Sequence, residues 1–197
     1  MPFNKEVAKK RLFEKLPPSF ADPVTGHQPT NEKELSALLA FFHQRRSVAW
    51  NNVRLYLTDN SPSDKMADAL LAEGVMLCEY PLFAKTRSEI DTWGAMPADL
   101  LYLANNNTTV ALFENKIGSE FTSGKDDVDH GQLARQAEYL LQNKILNRYL
   151  ILLSTRDFFN AGRYMNVLQE TLSHKNRQAR ITGYLIHWEE VLSAIEQ

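Results

Sequence analysis

Asp99, Glu114 and Lys116 are the residues of this chain whose types and spacing could do chemistry. Asp99 opens one apolar run, after Pro97-Ala98, and Glu114-Asn115-Lys116 closes another, with Glu114 fifteen positions beyond Asp99. Side chains alternate along a strand, so Glu114 and Lys116 share one face while Asn115 takes the other. Asn105-Asn106-Asn107 lies between the runs and predicts a tight hairpin. Antiparallel pairing then returns Lys116 toward the start of the first strand and brings Asp99 beside Glu114. Two carboxylates and an ammonium at one end of a sheet are costly, because each loses hydration and the acids repel. A divalent cation resolves that conflict. Mg²⁺, with Mn²⁺ as a substitute, accepts oxygen ligands from two carboxylates and a backbone carbonyl and leaves positions open for a phosphate. Such an ion lowers the pKa of water, and an adjacent lysine orients that water or stabilises charge building on phosphorus. Phosphodiester hydrolysis is the chemistry expected. A solvated ion-pair rim is the competing reading, which fits poorly with an apolar run, Val110 to Phe113, that leads straight into Glu114.

The elements that must position these residues are legible from periodicity. Residues 4–15 form a basic amphipathic helix pattern ended by Pro17-Pro18. Asn31 is placed to cap a second helix, in which Leu35, Leu38, Leu39 and Phe42 recur at helical spacing. A third helix is expected from near Ser63 to a cap at Gly74, and 53–58 fits either a strand or a helical turn. Short apolar runs bounded by turn formers predict strands at Val75–Tyr80, Asp99–Ala104 and Thr109–Lys116. Beyond them the pattern predicts a helix over 130–143, a strand over 149–154, a helix over 157–174, a strand over 181–188 and a helix over 189–195. Mixed strands and helices of this kind predict an α/β sandwich around a mixed sheet.

Composition narrows the partners. The chain has 197 residues, 44% hydrophobic and 23% charged, which is the profile of one compact globular domain rather than a disordered or fibrous polymer. No apolar run is long enough to span a bilayer and the first residues are charged, so a cytoplasmic protein with no membrane partner is expected. Cys78 is the single cysteine, which excludes internal disulfides and thiolate clusters. A net charge of -2 supplies no global field for nucleic acid, so any polyanion site must be local. Lys116, Lys125, Arg135, Lys144 and Arg148 are candidates for it, with Arg45-Arg46 and the N-terminal lysines behind them. His27, His43, His130, His174 and His187 are dispersed without ligand spacing. Trp50, Trp93 and Trp188 read as core or interface rather than as platforms for bases.

In order along the chain, Pro97-Ala98-Asp99, Glu114-Asn115-Lys116 and a following helix with Gln132-Leu133 resemble the PD-(D/E)XK nuclease superfamily. The resemblance extends to an early helix reading Glu32-Lys33-Glu34-Leu35-Ser36 through Ala40 and covers about residues 30–155. It implies a restriction-endonuclease-like three-layer α/β/α sandwich with a central mixed sheet over 30–197, preceded by a basic helix and loop at 1–29. It further implies a Mg²⁺-dependent nuclease acting on DNA, with RNA not excluded and a homodimer possible. Asp99, Glu114 and the Asn115 carbonyl would hold the metal and Lys116 would be the catalytic lysine. Glu32 would join the metal site, unless it is a solvated helix charge and Glu34 takes that place; Glu34 could instead complete a capping box with Asn31. Gln132 would contact the site or the nucleic-acid backbone, although Asp129-x-x-Gln132 is itself a capping-box spacing. The chain departs from the pattern at Gln136, where an aromatic is usual; Tyr139 lies a turn further on the same face. The polar stretch 119–129 reads as a flap or as plain solvated loop.

A second reading keeps the nuclease fold as a catalytically idle binding or regulatory module. A nucleotide-processing enzyme is disfavoured because no glycine-rich phosphate loop exists among 8 glycines.

Overall fold

The computed structural model describes residues 4–82, 97–117, 131–142 and 144–195. The strands among them are β1 (Arg54–Tyr56), β2 (Pro62–Met66), β3 (Gly74–Pro81), β4 (Pro97–Ala104), β5 (Thr109–Lys116), β6 (Asn147–Ser154) and β7 (Thr182–His187). They form one sheet in the order β2-β1-β7-β6-β5-β4-β3. β5, β6 and β7 run parallel, whereas β3 and β4 meander antiparallel onto β5, and β1 and β2 close the other edge antiparallel. The sheet is therefore mixed.

Helices cover both faces: α1 (Lys5–Phe13), α2 (Glu32–Gln44), α3 (Asp68–Leu71), α4 (Gln132–Gln142), α5 (Arg156–Asn160), α6 (Met165–Ser173) and α7 (Trp188–Ser193). Alternation in the central strands explains why. Ala111, Phe113, Ile151, Leu153, Tyr184 and Ile186 point to one side and pack with Leu12 of α1, Leu35 and Leu39 of α2 and Val191 of α7. Val110, Leu112, Leu150, Leu152 and Leu185 point to the other and pack with Leu133, Ala137 and Leu140 of α4, Phe158 and Phe159 of α5 and Leu168 of α6. Strands buried on both faces read as unbroken apolar sequence, which is what Val110–Phe113 and Leu150–Leu153 are. The 4–29 segment joins the first of these cores through Leu12, Leu16 and Phe20, whose ring stacks on Phe42 at 5.2 Å. Among the described residues no helix is long and apolar enough to cross a membrane.

The predicted hairpin forms as expected: Asn107 takes φ 55, and Asn106 Oδ1 accepts from the Thr108 N–H at 3.0 Å. The ambiguous stretch 53–58 holds strand β1. Four expectations are corrected. The helix predicted over 63–74 is the edge strand β2 followed by the short α3, because pairing of Arg54 with Met66 and of Tyr56 with Pro62 overrides a weak helical pattern. Gly74 is no helix cap; it opens β3, where a Cβ would lie 2.5 Å from the Leu103 carbonyl and the Tyr102 ring. The helix predicted over 157–174 breaks into α5 and α6 at Gly162, which turns the chain at φ 70. Trp188 belongs to α7 rather than to the last strand.

Candidate active site

The β4–β5 register runs from Leu103↔Val110 to Leu100↔Phe113, and one further step sets Asp99 across from Glu114. Asp99 Oδ2 accepts from the Asn115 N–H at 2.7 Å. Glu114 is 0% exposed, although it sits on the last turn of a strand that ends in solvent-accessible Lys116. Its Oε2 accepts from Gln136 Nε2 at 2.7 Å and from Gln132 Nε2 at 2.5 Å. Its Oε1 lies 2.8 Å from Lys116 Nζ, an ion pair, and no further donor is aligned on it among the described residues. Gln132 Oε1 approaches the same ammonium at 3.5 Å. Asp99, Glu114, Lys116 and Gln132 are thus brought together at the carboxyl end of β5, on the face covered by α4.

Burial sets the electrostatics. Glu114 is pushed up to about 8 by desolvation first and by the Asp99 charge second, with Lys116 pulling the other way. Asp99 is pushed up to about 6, again by desolvation, against the Asn115 N–H and Lys116. For the Lys116 ammonium, burial pulls downward but the Glu114 carboxylate, then Asp99 and Glu32, more than offset it, and the net shift is upward. Two acids that resist ionising while a lysine holds its proton describe a site short of positive charge. Among the described residues, Gln136 Oε1 has no aligned donor, and the equally buried Glu114 Oε1 has none beyond the Lys116 ammonium. That donor set fits a hard divalent cation held by Asp99 and Glu114. Among the described residues no three His, Cys, Asp or Glu side chains form a ready-made cage, so main-chain or solvent oxygens would complete the shell.

The alternatives left open at the start of α2 separate in the structure. Asn31 Oδ1 caps the helix by accepting from the Glu34 N–H at 3.0 Å. Glu34 reaches back to the Thr30 N–H at 2.7 Å and to the Thr30 hydroxyl at 3.0 Å, a box closed one residue earlier than expected. Glu32 faces the sheet instead: its Oε1 accepts from the Ile117 N–H at 2.7 Å, one residue past Lys116. It borders the site but is held by the main chain. The Gln132 side chain is engaged with Glu114 and Lys116, while Asp129, the polar stretch 119–129, Lys125, His130 and Trp93 lie outside the described residues.

Asn115 anchors the site from behind. Its Nδ2 donates to the Glu32 carbonyl and to Ser36 Oγ, both at 3.0 Å, and its Oδ1 accepts from Trp188 Nε1 at 2.9 Å. One buried amide therefore ties β5 to α2 and α7. Asn115→Ala is expected to cost about 2–4 kcal/mol, because three buried partners lose their mate at once. Urea unfolding checks this, and a loss below about 1 kcal/mol would show that the amide is dispensable. Sequence reasoning left this hub unread. Glu32 and Ser36 at i and i+4 carried a signal for it, whereas Trp188 carried none.

Two further features escaped the sequence. Ser154 is paired across the ladder with Lys116 and its hydroxyl donates to the Lys116 carbonyl. Beside Asp99 the β3–β4 ladder steps from Cys78↔Leu100 to Tyr80↔Ala98, and Glu79 between them is held at φ 51, a strained value for a residue with a Cβ. Its carboxylate pairs with Lys33 at 3.2 Å.

Of the basic residues named as candidates for a local polyanion site, Arg148, Lys144, Arg45 and Arg46 lie away from it. Arg148 pairs with Val110 at the amino end of β6, roughly 20 Å along the strand from Ser154. Lys144 precedes that same end. Arg45 caps the far end of α2, about 20 Å from Glu32 at the usual helical rise, and Arg46 follows it. These cations are remote from the site because each sits at the wrong end of an element whose other end builds it. Tyr139 turns toward Tyr80 rather than Glu114, and burial pushes it up to about 12.

Among known proteins, no family model, no curated protein and no solved structure matches the chain.

Proposed function

We propose that this protein is a Mg²⁺-dependent nuclease of the PD-(D/E)XK type that hydrolyses DNA phosphodiester bonds. The observation that carries the reading is the buried Glu114 carboxylate, flanked by Asp99 and held by Lys116, Gln132 and Gln136 at the open end of a central strand. A divalent ion bound by Asp99 and Glu114 would supply Lewis-acid polarisation of a phosphoryl oxygen and a water of lowered pKa. Gln132 and Gln136 fix the Glu114 carboxylate from the α4 side, so its orientation is set before substrate arrives. The Asn115 N–H fixes Asp99 from the β5 side. Lys116 is the group of this pair that reaches solvent, since its side chain keeps 14% exposure where Glu114 keeps 1%. There its ammonium would stabilise charge developing on the phosphoryl oxygens.

A catalytically idle relative of the fold is the second reading, favoured by the full burial of Glu114 among donors that already satisfy Oε2. Calorimetric titration with Mn²⁺ and Mg²⁺, run beside cleavage of labelled DNA and RNA, separates the two. The nuclease reading expects a binding isotherm that weakens at least about tenfold in Asp99→Asn, together with metal-dependent cleavage. Wild-type protein that takes up no metal and leaves both substrates intact would make the idle reading correct.

A further inference from the structure

A cleft of about 650 Å³ opens at the carboxyl end of β6, between α1, the start of α5 and α7, on the side of the sheet that α1 and α7 cover. Arg11, Lys15 and Arg156 line it, against Asp157 and Glu189, with Thr155 at its floor. Its position follows from the sheet. Thr155 continues β6 past Ser154, whose hydroxyl donates to the Lys116 carbonyl, so the cleft begins one strand spacing, about 4.8 Å, from the lysine's main chain. Ligands of parallel strands bind outside their carboxyl ends, and the cleft occupies that place for β6 and β7.

Its charge is distinctive. Arg148 and Arg45 lie at the far ends of β6 and α2, whereas these three cations lie at the carboxyl end of β6, the end at which Lys116 closes the neighbouring β5. The Glu189 carboxylate is taken up by the Arg156 N–H, 3.1 Å from each oxygen, and the half-exposed Arg156 guanidinium lies 3.8 Å from Glu190. Asp157 accepts from Arg11 Nη1 at 3.1 Å, with both side chains at least half exposed. Lys15 has no carboxylate within ion-pair range among the described residues. A phosphate could therefore engage Lys15 directly and exchange with Asp157 for the guanidinium of Arg11, which matches phosphate oxygens in a bidentate fork.

We propose that this cleft is the track along which the nucleic-acid strand leaves the active site, its backbone phosphates seated on Lys15, Arg11 and Arg156. The assignment deepens the nuclease reading and rests on it. The chemistry recognised is the phosphate backbone, common to DNA and RNA.

The test uses full-length protein in chelator and fluorescence anisotropy with labelled DNA and RNA strands of one sequence, across a series of salt concentrations. Arg11→Ala combined with Lys15→Glu is expected to weaken binding about tenfold or more and to flatten the slope of log affinity against log salt by about 1–2. Asp157→Asn is expected to tighten binding and steepen the slope, the reverse of what a lost structural ion pair would do. Mn²⁺ calorimetry at Asp99 and Glu114 should be unchanged in all these variants. If wild-type protein binds strands and metal but the double variant keeps the wild-type affinity and slope, or Asp157→Asn binds no tighter, the cleft assignment is overturned while the nuclease reading stands. If wild-type protein binds neither strand nor metal, both fall. Retention of RNA alone, lost in the double variant, supports the cleft and makes RNA the substrate.

Discussion

Lys116→Met is expected to lower phosphodiester cleavage by about 10²- to 10⁴-fold with the fold intact and Mn²⁺ binding retained. The ammonium is the cation of the site, 2.8 Å from Glu114 Oε1, and the part of the cluster with access to solvent. Removing it leaves a buried carboxyl, which ordinarily would be severely destabilising. Here the carboxyl has an escape, because burial and Asp99 have already pushed Glu114 up to about 8 and it takes a proton near neutral pH. Stability should therefore change little while chemistry is lost. Lys116→Arg is expected to rescue little, since a planar fork does not replace a compact charge in a site built by two glutamines and two acids. Single-turnover cleavage of a labelled duplex, beside thermal melting and Mn²⁺ calorimetry, provides the check. Undiminished cleavage by Lys116→Met would remove the nuclease assignment.

Glu114→Gln is expected to abolish cleavage and at the same time to stabilise the metal-free protein at alkaline pH, by about 1–3 kcal/mol near pH 8. The sign follows from linkage. Glu114 ordinarily titrates near 4.5 but holds its proton to about 8 in the folded chain. Between those values the unfolded chain has released a proton that the folded chain keeps, so stability falls as pH rises through the window. Asp99 adds a contribution of the same sign between 3.8 and about 6. An amide at position 114 does not titrate, and its oxygen can still accept from Gln132 and Gln136. The gain should therefore be largest at pH 8 and vanish below about pH 4.5.

His187 provides an internal control of opposite sign. Burial, with Arg156 assisting and Glu190 opposing, pulls it down to about 4, and it stacks on Tyr56 at 4.0 Å with Nε2 on Asn60 Oδ1. Its contribution is complete above its ordinary value of 6.5 and is lost as pH falls toward 4. That acid limb should survive Glu114→Gln unchanged. Urea unfolding in chelator at pH 5, 6.5 and 8 resolves the two limbs. Added Mn²⁺ should reverse the ranking at pH 8, since only the wild-type site gains a ligand. Equal destabilisation by Glu114→Gln at all three pH values would mark the carboxylate as structural rather than functional.

Much of the frame and the centre of the site was written in local sequence. Alternation along Thr109–Lys116 put Glu114 and Lys116 on one face, and the three asparagines after Ala104 set the hairpin that returns Asp99 to them. The caps and apolar spacing of 31–44 and 132–142 placed the helices that bring Glu32, Gln132 and Gln136. These signals survive because each depends on a period or a turn spanning a few residues. The tertiary structure decided what depends on distant partners. Pairing with β1 drew Pro62–Met66 out of a helical pattern, and Trp188 found Asn115 across the core. Glu32 was steered to the Ile117 N–H while Glu34 closed the cap. It also decided which ends the charges occupy, since Arg148 and Arg45 sit a full element's length from the site, whereas Arg11 and Lys15 line a cleft at the carboxyl end of β6. Sequence spacing says which residues share an element; only the packed sheet says which ends of those elements meet, and the burial of Glu114 that raises its pKa exists only once they have.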